Sequence, residues 1–174
     1  MKLLVVVDMQ NDFINGSLGT HQAQAIVPGA IEYIHNFDGE VVYTQDTHGK
    51  DYLNTQEGKK LPVPHCIFGS EGWKIPEELM CYKKNYNEPA EVFGKGTFGS
   101  TKLAQYIQLN RELYEEITLI GLCTDICVIS NALLIKAFCR EIPIKVIADL
   151  CAGTTVEKHE MALEVMESCQ IEIL

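Results

Sequence analysis

This chain of 174 residues lacks a basic surplus and lacks a long apolar run. Lys and Arg number 14 against 24 Asp and Glu, for a formal charge of −10. Binding a polyanion depends on basic groups that displace its counterions, so the balance argues against nucleic acid as a partner. No stretch approaches the roughly 18 apolar residues of a membrane span, so no membrane partner is expected. The amino-terminal "MKLLVVVDMQNDF" has an apolar run of five residues before Asp8 and no small-residue cleavage site. It does not read as a signal peptide, and a cytoplasmic protein is expected. The cysteine count is not even. Seven cysteines in a reducing compartment are expected to stay thiols, which weakens a Cys123–Cys127 disulfide. No repeat, low-complexity tract or linker interrupts the chain. Residues 1–174 are therefore expected to form one globular domain.

What is present is an alternation of strands and helices. Leu3 to Val7 is a continuous β-branched apolar run that ends at Asp8 and reads as a buried parallel strand. Pro28 suits a helix start, and Ile31, Ile34 and Phe37 give that helix an apolar face. Residues 40–46 form a second strand, again ending in an acid. Residues 47–79 read as a long functional loop with a short helical piece. A short third strand is expected over 79–84. A helix capped by Ser100 spans 100–113, and a strand follows at 117–120. Residues 125–140 form a strongly apolar helix, 142–149 a strand, 156–168 a helix and 171–174 a last strand. Such β-α alternation predicts a parallel sheet with helices on both faces.

Ligands of such sheets bind outside the carboxyl ends of the strands. That rule gathers Asp8, Asp46, His48 and Cys127 on one rim. Cys127 has four readings: a structural thiol, half of a disulfide, a metal ligand or a nucleophile. A free cysteine is by default a small buried residue. Its place at a strand-to-helix turn favours a nucleophile, with the first-turn amides and the helix dipole expected to lower its pKa. Asp8 reads as a turn former or, beside a thiol, as a base that passes the proton on. Lys95, between Gly94 and Gly96, is an ordinary loop lysine unless it lies near Asp8 and Cys127, where it would stabilise both anions. Asp46, His48 and His65, with Glu57 in the same loop, suit zinc, iron(II) or manganese. His21, His35 and His159 lack such company and read as non-ligands.

Together these residues resemble the isochorismatase-like cysteine hydrolases, and among them the nicotinamidases. The matching pieces are "VVVDMQNDF", "TQDTH", "PHC", a lysine before "TFGS", and "GLCTDICV", in family order from residue 3 to about 151. The resemblance implies a three-layer α/β/α fold with a central, mostly parallel sheet. It implies a catalytic triad of Cys127, Asp8 and Lys95. It implies a cis peptide between Leu122 and Cys123 that aims the amides of Cys123 and Cys127 at an oxyanion. The family's metal positions fall on Asp46, His48 and His65, with Glu57 added in some members. The implied cofactor is a divalent metal, with zinc ahead of iron or manganese. Phe13 and Phe98 fall where nicotinamidases place aromatics around the substrate ring. The implied substrate is a small heteroaromatic amide, nicotinamide first, which would place the protein in NAD salvage. A homo-oligomer is also expected, since superfamily members often associate.

The chain departs from the family pattern around the pocket. Gly96 and Gly99 replace bulkier residues, Phe98 stands where Tyr is frequent, and "CIFGSEGW" brings Phe68 and Trp73 to the loop. Three other readings compete. A metal-independent hydrolase of another small amide, carbamoyl or ureido compound would not need Asp46, His48 and His65 together. Isochorismatase itself cleaves a vinyl ether without a catalytic cysteine, and Cys127 argues against it. A binding module has no use for an Asp-Lys-Cys set.

Overall fold

The computed structural model describes residues 1–81 and 90–174. Six strands form one sheet: β1 (Lys2–Val7), β2 (Gly39–Asp46), β3 (Glu91–Lys95), β4 (Glu116–Leu122), β5 (Ile144–Ala152) and β6 (Glu172–Ile173). Their order is β3-β2-β1-β4-β5-β6, and every pairing is parallel. The helices are α1 (Asn11–Ile14), α2 (His21–Asn36), α3 (Gln56–Lys60), α4 (Thr101–Leu109), α5 (Ile129–Phe138) and α6 (Val156–Ser168). Among the described residues no helix is long and apolar enough to cross a membrane.

The two-residue period of a strand explains the layers. Leu3, Val5 and Val7 pack with residues of α4, α5 and α6, among them Leu103, Ile107, Ala132 and Met166. Leu4 and Val6 point the other way, against Ala23, Ile26, Ala30 and Ile34 of α2. A strand buried on both faces must be apolar throughout, and β1 is. Strand order reverses direction between β1 and β4, which makes their carboxyl ends the switch point where a crevice opens. At that point Gly121 has φ 124°, and a Cβ there would collide with the Val7 carbonyl oxygen. Only glycine lets β4 approach β1 so closely.

Four expected elements differ. The helix expected from Pro28 is α2 and begins at His21, because Thr20 caps it by accepting from Ala23 N at 3.0 Å. Pro28 lies inside the helix, where its missing N–H is tolerated because the Ala23–Ile34 face is buried on the sheet. Of the strand expected over 79–84, the described residues 79–81 form none. Glu77–Leu79 forms a 3₁₀ turn, Met80 and Cys81 are not in a strand, and 82–84 lie outside the described residues. The strand at that edge is β3, paired to β2 with Asp46 opposite Lys95. It is mostly exposed, so it carries no apolar run. The helix from Ser100 stops at Leu109 and continues as a 3₁₀ turn, Arg111–Leu113. The helix expected from residue 125 is preceded by a π-turn, Thr124–Val128, and α5 proper begins at Ile129.

Candidate active site

Asp8 is the first residue past β1. Its φ of 46° turns the chain sharply out of the strand, a conformation Asp tolerates better than most residues. Its amide donates to the Thr44 carbonyl at 3.3 Å and to Thr44 Oγ1 at 3.2 Å. Thr44 Oγ1 in turn donates to Asp8 Oδ1 at 2.6 Å. The other carboxylate oxygen, Oδ2, lies 2.6 Å from Lys95 Nζ. Among the described residues no hydrogen-bond donor is aligned with Oδ2, so the Lys95 contact is an ion pair.

Lys95 ends β3, where a loop was expected, and it is buried. A buried ammonium needs anions, and Lys95 has them. Its Nζ lies 3.5 Å from Asp46 Oδ1 and 3.5 Å from Cys127 Sγ, besides Asp8. Burial disfavours its charge, but Asp8, Cys127 and Asp46 outweigh that and hold the ammonium more firmly than usual. Burial raises the Asp8 pKa, and Lys95 opposes but does not cancel the rise.

Cys127 lies in the π-turn after β4. The turn winds around the Cys123 carbonyl, which accepts from Ile126 N and Val128 N, each at 3.1 Å. Such one-turn irregularities recur at functional sites. The Leu122–Cys123 peptide is cis. The turn is tied on several sides. Asn131 Nδ2 donates to the Cys127 carbonyl at 2.8 Å and the Phe98 carbonyl at 3.1 Å, while Asn131 Oδ1 accepts from Ser100 N. Thr124 Oγ1 meets His159 Nδ1 at 2.8 Å, and Asp125 holds Thr154 through its amide and hydroxyl. The expected lowering of the Cys127 pKa is not what the surroundings produce. Burial and the Asp8 charge push the thiol well up, and Lys95 only partly offsets them. Both influences favour the neutral thiol, and Asp8 and Cys127 share the Lys95 ammonium as a neighbour. Burial and the charges of Asp125 and Asp8 push Cys123 up to about 12.

Beside this trio is a second cluster. Asp46, His48 and His65 are buried and offer donor atoms that all lie within 4.8 Å of one another. Asp46 Oδ2 is 2.9 Å from His48 Nε2 and 3.5 Å from His65 Nε2. Glu57 Oε1 stands 3.7 and 3.6 Å from the same two nitrogens. The His65 ring meets the Val63 carbonyl through Nδ1 at 2.8 Å. A carbonyl only accepts, so Nδ1 carries a proton, and in the neutral ring Nε2 would present a lone pair to a cation held there. Among the described residues, buried His48 Nε2 has no aligned hydrogen-bond partner. Converging lone pairs at these spacings are what a cation requires. Ligands about 2 Å from a tetrahedral ion lie about 3.4 Å apart, so the residues fit a divalent metal. Burial raises the Asp46 pKa, but His48, His65 and Lys95 outweigh it and keep the carboxylate well below its usual range.

The three aromatics fall differently. Phe13 is buried, its ring 5.5 Å from that of His65. Phe68 is 69% exposed and packs edge-on against Trp73 at 5.0 Å. Phe98 is 45% exposed. None of His21, His35 and His159 joins the metal cluster. Several residues that touch the site were not singled out from the sequence: Gln10, Asp12, Thr44 and Asn131. Asp12 Oδ2 accepts from Cys66 N at 2.7 Å, next to His65. The available signal was the run of polar residues directly behind the β1 apolar run, since polar groups there must find partners.

The isochorismatase domain family matches residues 2–174. The chain is 32% identical over 174 residues to an uncharacterized isochorismatase family protein PncA of Bacillus subtilis, covering 93% of this chain and 92% of that one. It is 27% identical over 187 residues to the nicotinamidase/pyrazinamidase of Mycobacterium tuberculosis, covering 100% and 98%. Among solved structures, the zinc complex of Pyrococcus horikoshii pyrazinamidase overlays with a TM-score of 0.78 at 27% identity, covering 99% of this chain and 98% of that chain. The chain belongs to the isochorismatase family. Within it, the chain stands with the cysteine-dependent enzymes that hydrolyse linear amide C–N bonds.

Proposed function

We propose that the chain hydrolyses nicotinamide, or a close heteroaromatic amide, to the carboxylate and ammonia. One observation carries the reading. Lys95 touches Asp8 at 2.6 Å and Cys127 at 3.5 Å, and through Asp46 it adjoins a cluster fit for a metal. The names of the Mycobacterium and Pyrococcus relatives support the substrate class, and the Pyrococcus zinc complex supports zinc.

In the proposed mechanism Asp8 Oδ2 takes the Cys127 proton as Sγ attacks the amide carbon. A C–S bond forms and the carbonyl electron pair moves to oxygen. The backbone N–H groups of Cys123 and Cys127 receive that oxyanion, with the cis Leu122–Cys123 peptide orienting the turn. Lys95 balances the negative charge on Asp8 and on the departing thiolate. The C–N bond breaks, and ammonia leaves with the proton held by Asp8. Water then gives a proton to Asp8 and adds its oxygen to the thioester. Collapse breaks the C–S bond, and the thiolate recovers the proton. Asp46, His48 and His65, with Glu57 alongside, would hold a divalent metal, which supplies a Lewis-acid position for the ring nitrogen. Phe13 flanks the ring beside His65, and Phe68 and Phe98 supply the outer aromatic edges.

The test is ammonia release from nicotinamide, with and without a chelator, beside Cys127→Ala. Release that needs both Cys127 and metal supports the proposal. No release from zinc-loaded protein rejects nicotinamide and its close analogues.

A further inference from the structure

Gln10 belongs to neither the thiol trio nor the metal cluster, yet it is fully buried between them. Its side-chain amide uses all of its hydrogen-bonding directions but one. Nε2 donates to the Asp46 carbonyl at 2.9 Å and to the Trp73 carbonyl at 2.8 Å. Oε1 accepts from Asp46 N at 2.7 Å. Both backbone groups of Asp46 are therefore held by one side chain.

The reason lies in the sheet. The β1–β2 register ends at Val7 opposite Thr44. Asp8 then leaves the strand, and its amide reaches back to Thr44. Asp46 stands two residues beyond Thr44 with no β1 backbone to meet it. The Gln10 amide supplies the donor and the acceptor that a further strand residue would have supplied. On its other side Asp46 is paired with Lys95. Asp46 is also where the two clusters join, with Oδ2 among the imidazoles and Oδ1 toward Lys95.

We infer that Gln10 is the positioning residue for the metal cluster: it fixes the Asp46 backbone so that the carboxylate meets His48 and His65, and through the Trp73 carbonyl it ties the neighbouring loop to the same point. The inference rests on the proposed metal site. Gln10 touches neither metal nor substrate.

The experiment is cobalt(II) titration of purified apo-protein, followed by visible absorption, for wild type, Gln10→Met and Gln10→Asn. Gln10→Met keeps the volume and removes all three hydrogen bonds. Gln10→Asn keeps the amide but is too short to span the gap. Cobalt(II) affinity is expected to fall about 10–100-fold in each folded variant, with a changed absorption envelope. Ile135→Ala, in the core on α5, serves as the control for lost stability and is expected to bind like wild type. Wild-type protein that binds no cobalt(II) removes the metal reading and this inference with it. Wild type that binds, beside a Gln10 variant that binds equally well with the same spectrum, overturns this inference alone. A wild-type measurement needs no variant. The Gln10 side-chain NH₂ resonances should shift on zinc titration together with the His48 and His65 ring signals, and NH₂ signals that stay fixed refute the linkage.

Discussion

Replacing Lys95 by Met removes the ammonium that adjoins Asp8, Asp46 and the Cys127 thiol while keeping the length of the side chain. At an effective dielectric of about 20, unit charges 2.6 Å apart attract by about 6 kcal/mol. Much of that offsets the desolvation of two buried groups. Deleting one member of a buried pair typically costs about 3–5 kcal/mol, a large part of a domain's stability. The variant relieves the loss by protonating Asp8. Burial already raises the Asp8 pKa and Lys95 opposes it, so removing Lys95 raises it further. A protonated Asp8 cannot take the Cys127 proton in the proposed mechanism. The rate kcat/KM for ammonia release should fall about 10²–10⁴-fold at pH 7. The acid limb of the pH–rate profile should move to higher pH. Stability supplies an independent sign. A carboxyl whose folded pKa lies above its unfolded value stabilises the fold below the unfolded pKa and loses that contribution as pH rises through the folded pKa. Lys95→Met should therefore gain stability relative to wild type on acidification from alkaline pH, measured by urea melts at several pH values. A variant with an unmoved acid limb and the wild-type pH dependence of stability would refute the electrostatic reasoning.

Zinc at about 100 times its dissociation constant should stabilise the fold by about 2.7 kcal/mol, a melting shift of about 5–10 °C that a chelator reverses. No shift in a thermal melt would count against a metal on Asp46, His48 and His65. Gly121→Ala should destabilise the protein by about 3 kcal/mol or more, because the Cβ meets the Val7 carbonyl and φ is 124°. Urea unfolding measures it, and a near-neutral result would mean that β4 does not approach β1 as described. Phe68→Ala, at an exposed position, should leave stability within about 0.5 kcal/mol. It should raise KM for nicotinamide several-fold with little change in kcat, and an unaltered KM would remove Phe68 from the substrate edge.

The central strands were legible because parallel strands buried on both faces are written as unbroken apolar runs. Leu3–Val7 is such a run, and Ile117–Ile120 departs from it only at Thr118. The acids behind β1 and β2 were visible for the same reason, as abrupt charge after apolar sequence. β3 was hidden because an edge strand with exposed side chains has no such run, and Lys95 was therefore read as loop. The π-turn at Cys127 was hidden because a single widened turn leaves no period in the sequence. The early start of α2 was masked by Pro28, whose local preference lost to burial of Ala23 and Ile26. The thiol's raised pKa depends on the Asp8 charge and on burial from distant segments, neither of which spacing encodes. Gln10 and Thr44 looked like ordinary polar residues, and only the sheet register shows what they face.

Thr44 imposes a direction on the chemistry beside it. A hydroxyl has one hydrogen, and this one is committed to Asp8 Oδ1 while the same oxygen accepts from the Asp8 amide. The two oxygens of Asp8 are thus no longer equivalent. Oδ1 already accepts the Thr44 hydroxyl, and Oδ2 faces Lys95, the side on which Cys127 also lies. Under the proposed mechanism the proton from sulfur and the proton returned to ammonia must use that same oxygen, in a pocket where Asp8 has no contact with solvent. The carboxylate then works as a one-seat carrier, and the traffic in both half-reactions is single file.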